Sequence, residues 1–328
     1  MLYGATGVTP ADRFRRHTLD LEICAMSDYL GTQLRILLAS DLTDRAVLAF
    51  DRAVQLAISQ QAHLTILHAI RDDLIKDVGE IVYGAAHEAL QNQVADARAR
   101  GATDADMKVV LAAHYDAAII AESRQDRAHL IVLGSHRERP LRDAVLGATM
   151  ERVLRFGDRS ILVVKTSPTG SYSDILVAVD FSVPARDALE FAIRLFPRGR
   201  FHVLNACPNV LGDTASEWFV SPETVARKHE AQLEVIVQAV AHHMRQELSG
   251  ADFTLTPVVD HGHPAEAAKR QIARIRPDLV VVGTHGHTGW RHATVGSVAE
   301  SFLAWMPCDV LAVRQMHAEG GGRLSTLT

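Results

Sequence analysis

Four glycines and a serine carry the chemistry that can be read directly from this chain. Gly283, Gly286, Gly289 and Gly296-Ser297 follow the apolar run 279–282 and precede a helical pattern from Val298 to Trp305. A strand that passes through glycines into a helix start is a common anion cradle. Glycine lets backbone N–H groups come close to the anion, and the helix N-terminus adds about half a positive charge. His287 and Arg291 lie within the same stretch and could face a phosphate. A P-loop is excluded, because GxxxxGK[ST] and its lysine are absent. A carboxylate, Asp180, ends another apolar run, 175–179, and would meet the same crevice if the two runs are neighbouring strands.

The arrangement occurs a second time, earlier in the chain. An apolar run, 130–133, leads into Gly134-Ser-His-Arg137, with Gly147-Ala148 opening the next helical pattern. Gly283 and Gly296 each lie 149 positions after Gly134 and Gly147, so the chain contains an internal duplication without gaps here. The copies differ where the chemistry would be. Arg137 stands in place of the middle glycine, and Ala148 replaces Ser297. The arginine is expected to fill the phosphate space, and alanine has no hydroxyl to offer. Asp41 matches Asp180 but is read as structural. Arg137, Arg139 and Arg142 could hold another anion or form a solvated basic loop.

Hydrophobic periodicity supplies the elements that must position these residues. In the first repeat, strands are expected at 34–39, 63–68, 107–111, 130–133 and 160–165. Helices are expected at about 43–59, 77–99, 115–125 and 148–156. The second repeat restarts at Ile175, with a helix near Pro184, a strand at 201–205 and a long helix from Ser221-Pro222 to Ser249-Gly250. Strand 253–259, a turn at Gly262-His-Pro264 into a further helix, and a last strand at 309–314 complete it. Alternating strands and helices predict an α/β fold of two tandem doubly wound domains. Each has a five-stranded parallel-type sheet with helices on both faces. The expected divisions are an extension at 1–33, domain 1 at 34–165, a Ser/Pro/Gly linker at 166–173, domain 2 at 174–315 and a flexible tail at 316–328. Met26 is an alternative translation start, which intact-mass analysis of natively expressed protein would decide.

Composition narrows the function classes. The 328 residues suffice for two domains, and 48% apolar with 22% charged residues is ordinary for a globular protein. A net charge of −5 and the lack of a basic run argue against a nucleic-acid partner. No apolar stretch reaches the roughly 18 residues of a membrane span, and no signal core opens the chain. The expected location is the cytoplasm, where Cys24, Cys207 and Cys308 would be isolated reduced thiols.

The constellation Gly283-x2-Gly286-x9-Gly296-Ser297, paired with Ala178-x-Asp180-x-Ser182, resembles that of the universal stress protein family. The resemblance covers about 34–165 and 174–314. It implies a five-stranded α/β fold, dimer formation partly through the last strand, and ATP, alone or with Mg²⁺, as ligand of members that keep the glycine motif. It further implies that Gly283, Gly286, Gly296 and Ser297 contact ribose and phosphates. Ala178, Asp180 and the backbone at Ala206 would meet the adenine end, with His287, Gly289 and Arg291 beside the phosphates. Asn205 stands where many members have histidine, as His68 does in the first repeat. Ala113-His-Tyr115 replaces the Gly-x-Pro turn of the second repeat. The reading is a cytoplasmic stress-response protein that binds ATP in its second domain, with the first a degenerate scaffold that binds ATP poorly or not at all. The two domains would form an internal pseudo-dimer through 161–164 and 310–313, or pair with another chain.

Plainer explanations compete with each assignment. Ser297-Val-Ala-Glu300 has the pattern of a capping box, worth about 1 kcal/mol without any ligand. Asp180 could simply hold a turn. His261, His263, His285, His287 and His292 crowd one end of the sheet, yet their spacing does not build a tetrahedral metal site. No convincing general base is present, so turnover of bound ATP would be slow. A nucleotide-free interaction scaffold is the competing class. An adenylyl-transferring enzyme is a further alternative, but the HxGH-type motif it would need near the first strand is missing.

Overall fold

In the computed structural model the described residues are 33–44, 46–74, 79–135, 147–207, 222–284 and 296–314. Residues 34–315 form one compact unit. The first repeat runs β1 (Arg35–Ala39), α1 (Ala46–Gln60), β2 (His63–Arg71), α2 (Gly79–Ala99), β3 (Ala105–Ala112), α3 (Tyr115–Gln125), β4 (Leu130–Gly134), α4 (Ala148–Phe156) and β5 (Ser160–Val164). The second runs β6 (Asp174–Val179), α5 (Val183–Leu195), β7 (Arg200–Cys207), α6 (Pro222–Glu247), β8 (Thr254–His261), α7 (Pro264–Ile275), β9 (Leu279–Gly283), α8 (Ser297–Trp305) and β10 (Asp309–Val313).

These strands build one sheet, in the order β3-β2-β1-β4-β5-β10-β9-β6-β7-β8. Within each repeat every neighbouring pair is parallel. The repeats meet at β5 and β10, which pair antiparallel with Val310 opposite Val163 and Ala312 opposite Ile161. The two five-stranded units expected from the pattern are therefore halves of a single ten-stranded sheet.

Period-2 alternation divides the side chains between two apolar layers. Ile36, Leu38, Val132, Val177, Val281 and Leu311 face one way, toward α1, α2, α5 and α6. Leu37, Ile131, Leu133, Leu176, Val280 and Val310 face the other way, toward α3, α4, α7 and α8. Strands buried on both faces explain the near-continuous Val/Ile/Leu runs in the sequence. Removing such side chains from water contributes about 1.5–3 kcal/mol each. Both layers continue across the β5–β10 seam.

Polar side chains fasten the seam and its linker. Asp309 is fully buried. Its Oδ1 accepts the Lys165 and Thr166 backbone N–H groups at 2.8 and 3.0 Å and the Thr166 hydroxyl at 2.9 Å. Tyr172 donates to Oδ2, and Arg52 lies 3.6 Å from the same oxygen. The Arg52 guanidinium covers the Tyr172 ring at 3.9 Å and donates to the Gly170 carbonyl. Lys165 donates its ammonium to the Leu303 and Met306 carbonyls at the end of α8.

Element boundaries differ from the sequence pattern in one respect that matters for the site. β2 runs to Arg71 rather than stopping at His68. It pairs with β3 up to Arg71 opposite Ala112, whereas its ladder with β1 reaches only Leu67 opposite Ala39. The last turns of β2 thus stand beyond the end of β1. Among the described residues, no helix is long and apolar enough to cross a membrane.

Candidate functional site

Where strand order reverses in an open parallel sheet, the outgoing chains part to opposite faces and leave a crevice. In the second repeat this happens between β6 and β9, which are neighbours in the sheet. β6 leads into α5 on one face, and β9 leads toward α8 on the other. Ala178 on β6 and Ala206 on β7 are half-buried on the α8 face. Asp180 follows β6 directly and is exposed. Gly283 ends β9, and Gly296 and Ser297 begin α8. Gly286, His287, Gly289 and Arg291 lie outside the described residues, as do Trp290, His285 and His292.

The carboxylate of Asp180 is held by its own turn. Its Oδ1 accepts the Ser182 N–H at 3.1 Å and the Ser182 hydroxyl at 2.5 Å. Ser182 is in turn the N-cap of α5, its Oγ accepting the Ala185 N–H at 3.3 Å. Between them Phe181 sits at φ 65°, a left-handed conformation costly for a bulky side chain. The first repeat repeats the device. Asp41 accepts the Thr43 N–H and hydroxyl at 3.0 and 2.7 Å, and Leu42 sits at φ 60°. Backbone strain of this kind costs about 1–3 kcal/mol and collects at ligand clamps. The sequence reading missed Phe181 and Leu42. The matching Asp-Phe-Ser and Asp-Leu-Thr triplets were the available signal.

Beside the crevice, Asn205 has a partner that the sequence did not single out, His229. Asn205 donates to the Val179 carbonyl at 2.9 Å, and its Oδ1 accepts the His229 Nδ1–H at 2.7 Å. His229 also contacts the Phe181 ring, and burial lowers its pKa. In the first repeat His68 Nδ1 donates to the Ser40 carbonyl at 2.9 Å. Asn205 and His68 therefore do the same work, tying the second strand to the end of the first.

Two of the glycines have structural reasons of their own. A Cβ on Gly283 would lie 3.2 Å from the Pro184 carbonyl oxygen, so the glycine admits the first turn of α5. The Gly296 N–H donates to the Thr284 carbonyl at 3.0 Å. Thr284 is itself bound to the Val313 carbonyl at 3.0 Å through its N–H. Thr284 and Gly296 are thus bound directly to each other beside the ends of β9 and β10.

The capping box expected at Ser297 is absent. Gly296 is the N-cap, without a side-chain cap bond, and its carbonyl accepts the Glu300 N–H at 3.1 Å. The helix starts one residue earlier than the box requires. Ser297 is therefore its first helical residue and is exposed. Among the described residues the N-cap of α8 makes no side-chain cap bond, and this helix start, tied through Gly296 to Thr284 just past β9, lies at the same end of the sheet as Asp180, which follows the neighbouring β6. Of the crowded histidines, His263 caps α7, its Nδ1 accepting the Ala265 N–H at 3.3 Å, and His261 ends β8.

The equivalent place in the first repeat is open. A cavity of about 660 Å³ lies over the ends of β1, β2 and β4 and the start of α4. The hollow was expected to be filled by Arg137, which lies outside the described residues. Small side chains at Ala39, Ala46 and Ala69, with the overhang of β2 past β1, give the cavity its room.

Comparison with known proteins agrees with this architecture. The universal stress protein family matches the chain twice, over residues 34–165 and 171–314. A Staphylococcus aureus (strain USA300) protein named among the universal stress proteins is 26% identical over 146 residues, 44% of this chain and 85% of that one. The crystal structure of a universal stress protein from Archaeoglobus fulgidus DSM 4304 superposes with a TM-score of 0.66 at 18% identity, covering 86% of this chain and 98% of that one. A functionally unknown protein, PA1789, from Pseudomonas aeruginosa PAO1 superposes at 0.57 with 20% identity, covering 88% and 95%. At these identities the superpositions bear on the fold.

Proposed function

The chain belongs to the universal stress protein family, in two tandem domains, and from that premise we propose that its second repeat binds ATP in the crevice between β6 and β9. The observation that carries this reading is the start of α8. Among the described residues its N-cap, a glycine, makes no side-chain cap bond, and the helix starts beside the end of β9, next to the strand that Asp180 follows. Such a terminus favours a phosphate group through both its free donors and its dipole. The donor set fits a nucleotide. Gly296 and Ser297 would meet phosphate oxygens, Asp180 would accept from the base or ribose end, and the Ala206 backbone would border the base. Gly286, His287, Gly289 and Arg291 complete the proposed set, with Mg²⁺ accompanying the phosphates where it binds.

Binding, rather than turnover, is the proposed activity, in a cytoplasmic stress-response or regulatory role. Asp180, the carboxylate that follows β6, is engaged by Ser182 rather than free to act as a general base. Any hydrolysis or autophosphorylation would be slow. The first repeat, lacking the middle glycine and the hydroxyl of Ser297, contributes the shared sheet and does not hold a triphosphate.

One observation favours a second reading, a nucleotide-free interaction scaffold. Gly283 and Asp180 both have structural partners, Pro184 and Ser182, that explain them without a ligand. Isothermal titration separates the two. Saturable heat with ATP, lost in Gly286→Arg and kept in Arg137→Gly, supports the ATP site. No heat and no thermal shift at millimolar ATP supports the scaffold.

A further inference from the structure

Two cations cross the seam in opposite directions. Lys165 follows β5 and Arg314 follows β10, and they stand 149 positions apart, the spacing of the duplication. Lys165 Nζ donates to the Leu303 carbonyl at 2.7 Å and to the Met306 carbonyl at 2.9 Å. The Arg314 guanidinium donates to the Leu154 carbonyl. Leu154 and Leu303 are themselves 149 positions apart, so a single contact is made twice, each cation ending on the last helix of the other repeat. The backbone follows the same rule. The Lys165 N–H donates to Asp309 Oδ1 at 2.8 Å, and the Arg314 N–H donates to the Oγ of the equivalent Ser160 at 3.3 Å.

These helices need such support. The last carbonyls of a helix have no partner within it, and its C-terminus carries about half a negative charge. α4 and α8 have nine residues each, too few to persist by propensity alone. Ala299, Phe302 and Leu303 bury one side of α8 against the sheet, as Met150, Val153 and Leu154 do for α4. α8 has no basic residue in its own last turn, whereas α4 has Arg155. The cation that α8 lacks is therefore supplied by Lys165, from the first repeat. Arg314 reaches α4 at some cost, since its Nε is buried without a hydrogen-bond partner among the described residues. The opposite ends of the two helices carry Gly296 and Ser297 in α8, and Ala148, which borders the first-repeat cavity, in α4. A helix of this length spans about 13 Å, short enough for a shift at one end to reach the other.

We propose that Lys165 and Arg314 form a reciprocal clamp, in which each repeat positions the last helix of the other. Lys165, a residue of the first repeat, is thereby a positioning residue for the second-repeat crevice. That consequence rests on ATP binding at the start of α8; the clamp itself does not.

The test uses the full chain and hydrogen–deuterium exchange, read by mass spectrometry on peptides covering 148–156 and 297–305. Lys165→Met is expected to speed exchange in 297–305 by about tenfold or more and to leave 148–156 unchanged. Arg314→Met should give the reverse pattern, more weakly because Arg155 remains. Lys165→Arg should restore slow exchange. ATP affinity by isothermal titration should fall about fivefold or more in Lys165→Met, recover in Lys165→Arg and stay within about twofold in Arg314→Met. Equal loosening of both helices in a folded variant would indicate general weakening of the seam and overturn the clamp. Unchanged exchange of 297–305 in Lys165→Met would overturn it as well. Faster exchange there with ATP affinity unchanged would overturn the positioning role. Circular dichroism checks folding, and if Lys165→Met does not fold, the Arg314→Met pattern decides. Failure of the unmodified chain to bind ATP would count against the second-repeat site, while the exchange pattern still decides the clamp.

Discussion

The Tyr172 hydroxyl donates to Oδ2 of Asp309, so a linker residue is bound to the first residue of the last strand. Both side chains are buried, and Asp309 also holds the backbone of Lys165 and Thr166. One carboxylate thereby ties together the end of β5, the linker and β10. Replacing it leaves several buried donors without an acceptor. Asp309→Ala is expected to destabilise the protein by about 3–5 kcal/mol, with Asp309→Asn milder. Urea denaturation read by circular dichroism measures both. A cost below about 1 kcal/mol for the alanine variant would refute this role.

The same pair makes stability sensitive to alkali. Burial, and then the neighbouring Asp309 charge, raise the Tyr172 pKa well above 10. Its contribution is complete below the unfolded value, near 10, and is lost as pH rises from there toward the folded value. Tyr172→Phe should flatten the stability profile above pH 10. Denaturation midpoints at pH 8 to 11 provide the check.

His129 gives the opposite dependence. Its Nδ1 accepts the Arg35 backbone N–H at 2.9 Å, so protonation there breaks a bond between β4 and β1. Burial, with the nearby Arg159 and Arg35 charges, lowers its pKa to about 4. The stability it contributes is full above pH 6.5 and is lost as pH falls toward 4, by at most about 3 kcal/mol. His129→Gln should reduce the acid sensitivity in that window, measured by urea melts at pH 4 to 7.

Cys207 and Cys308 are buried thiols outside any disulfide, and burial raises both, Cys308 to about 11. A thiol that stays protonated and covered is a poor nucleophile. Iodoacetamide at pH 7.5 should leave both unmodified in the folded protein and label both in urea, as read by peptide mass spectrometry. Rapid labelling of either under native conditions would contradict the packing described.

Because Ser297 follows the N-cap, Ser297→Ala should cost less than about 0.5 kcal/mol, below the ~1 kcal/mol of a lost cap. Any fall in ATP affinity in that variant would then report a ligand contact. Paired thermal melts and titrations separate the two effects.

Much of the fold was legible because strands buried on both faces leave unbroken apolar runs, as at 130–133 and 279–282. The matching spacing of Gly134 with Gly283 also exposed the duplication. The cap at Ser297 was misread because Ser-x-x-Glu marks a box only when the serine itself stands outside the helix. Periodicity does not fix a boundary to one residue. The left-handed conformation of Phe181 and Leu42 follows from no propensity of a bulky residue, so only the matching triplets around them marked these turns. How far β2 runs past β1 is a matter of register that composition does not encode.

The antiparallel seam between β5 and β10 changes what assembly means for this protein. Two separate single-repeat chains would have to find one another, and their union would dissolve on dilution. Here the union is written into one polypeptide and survives any concentration. The two halves of the sheet can therefore diverge in sequence independently, as Arg137 against Gly286 and Ala148 against Ser297 have done, with no copy left waiting for a mate.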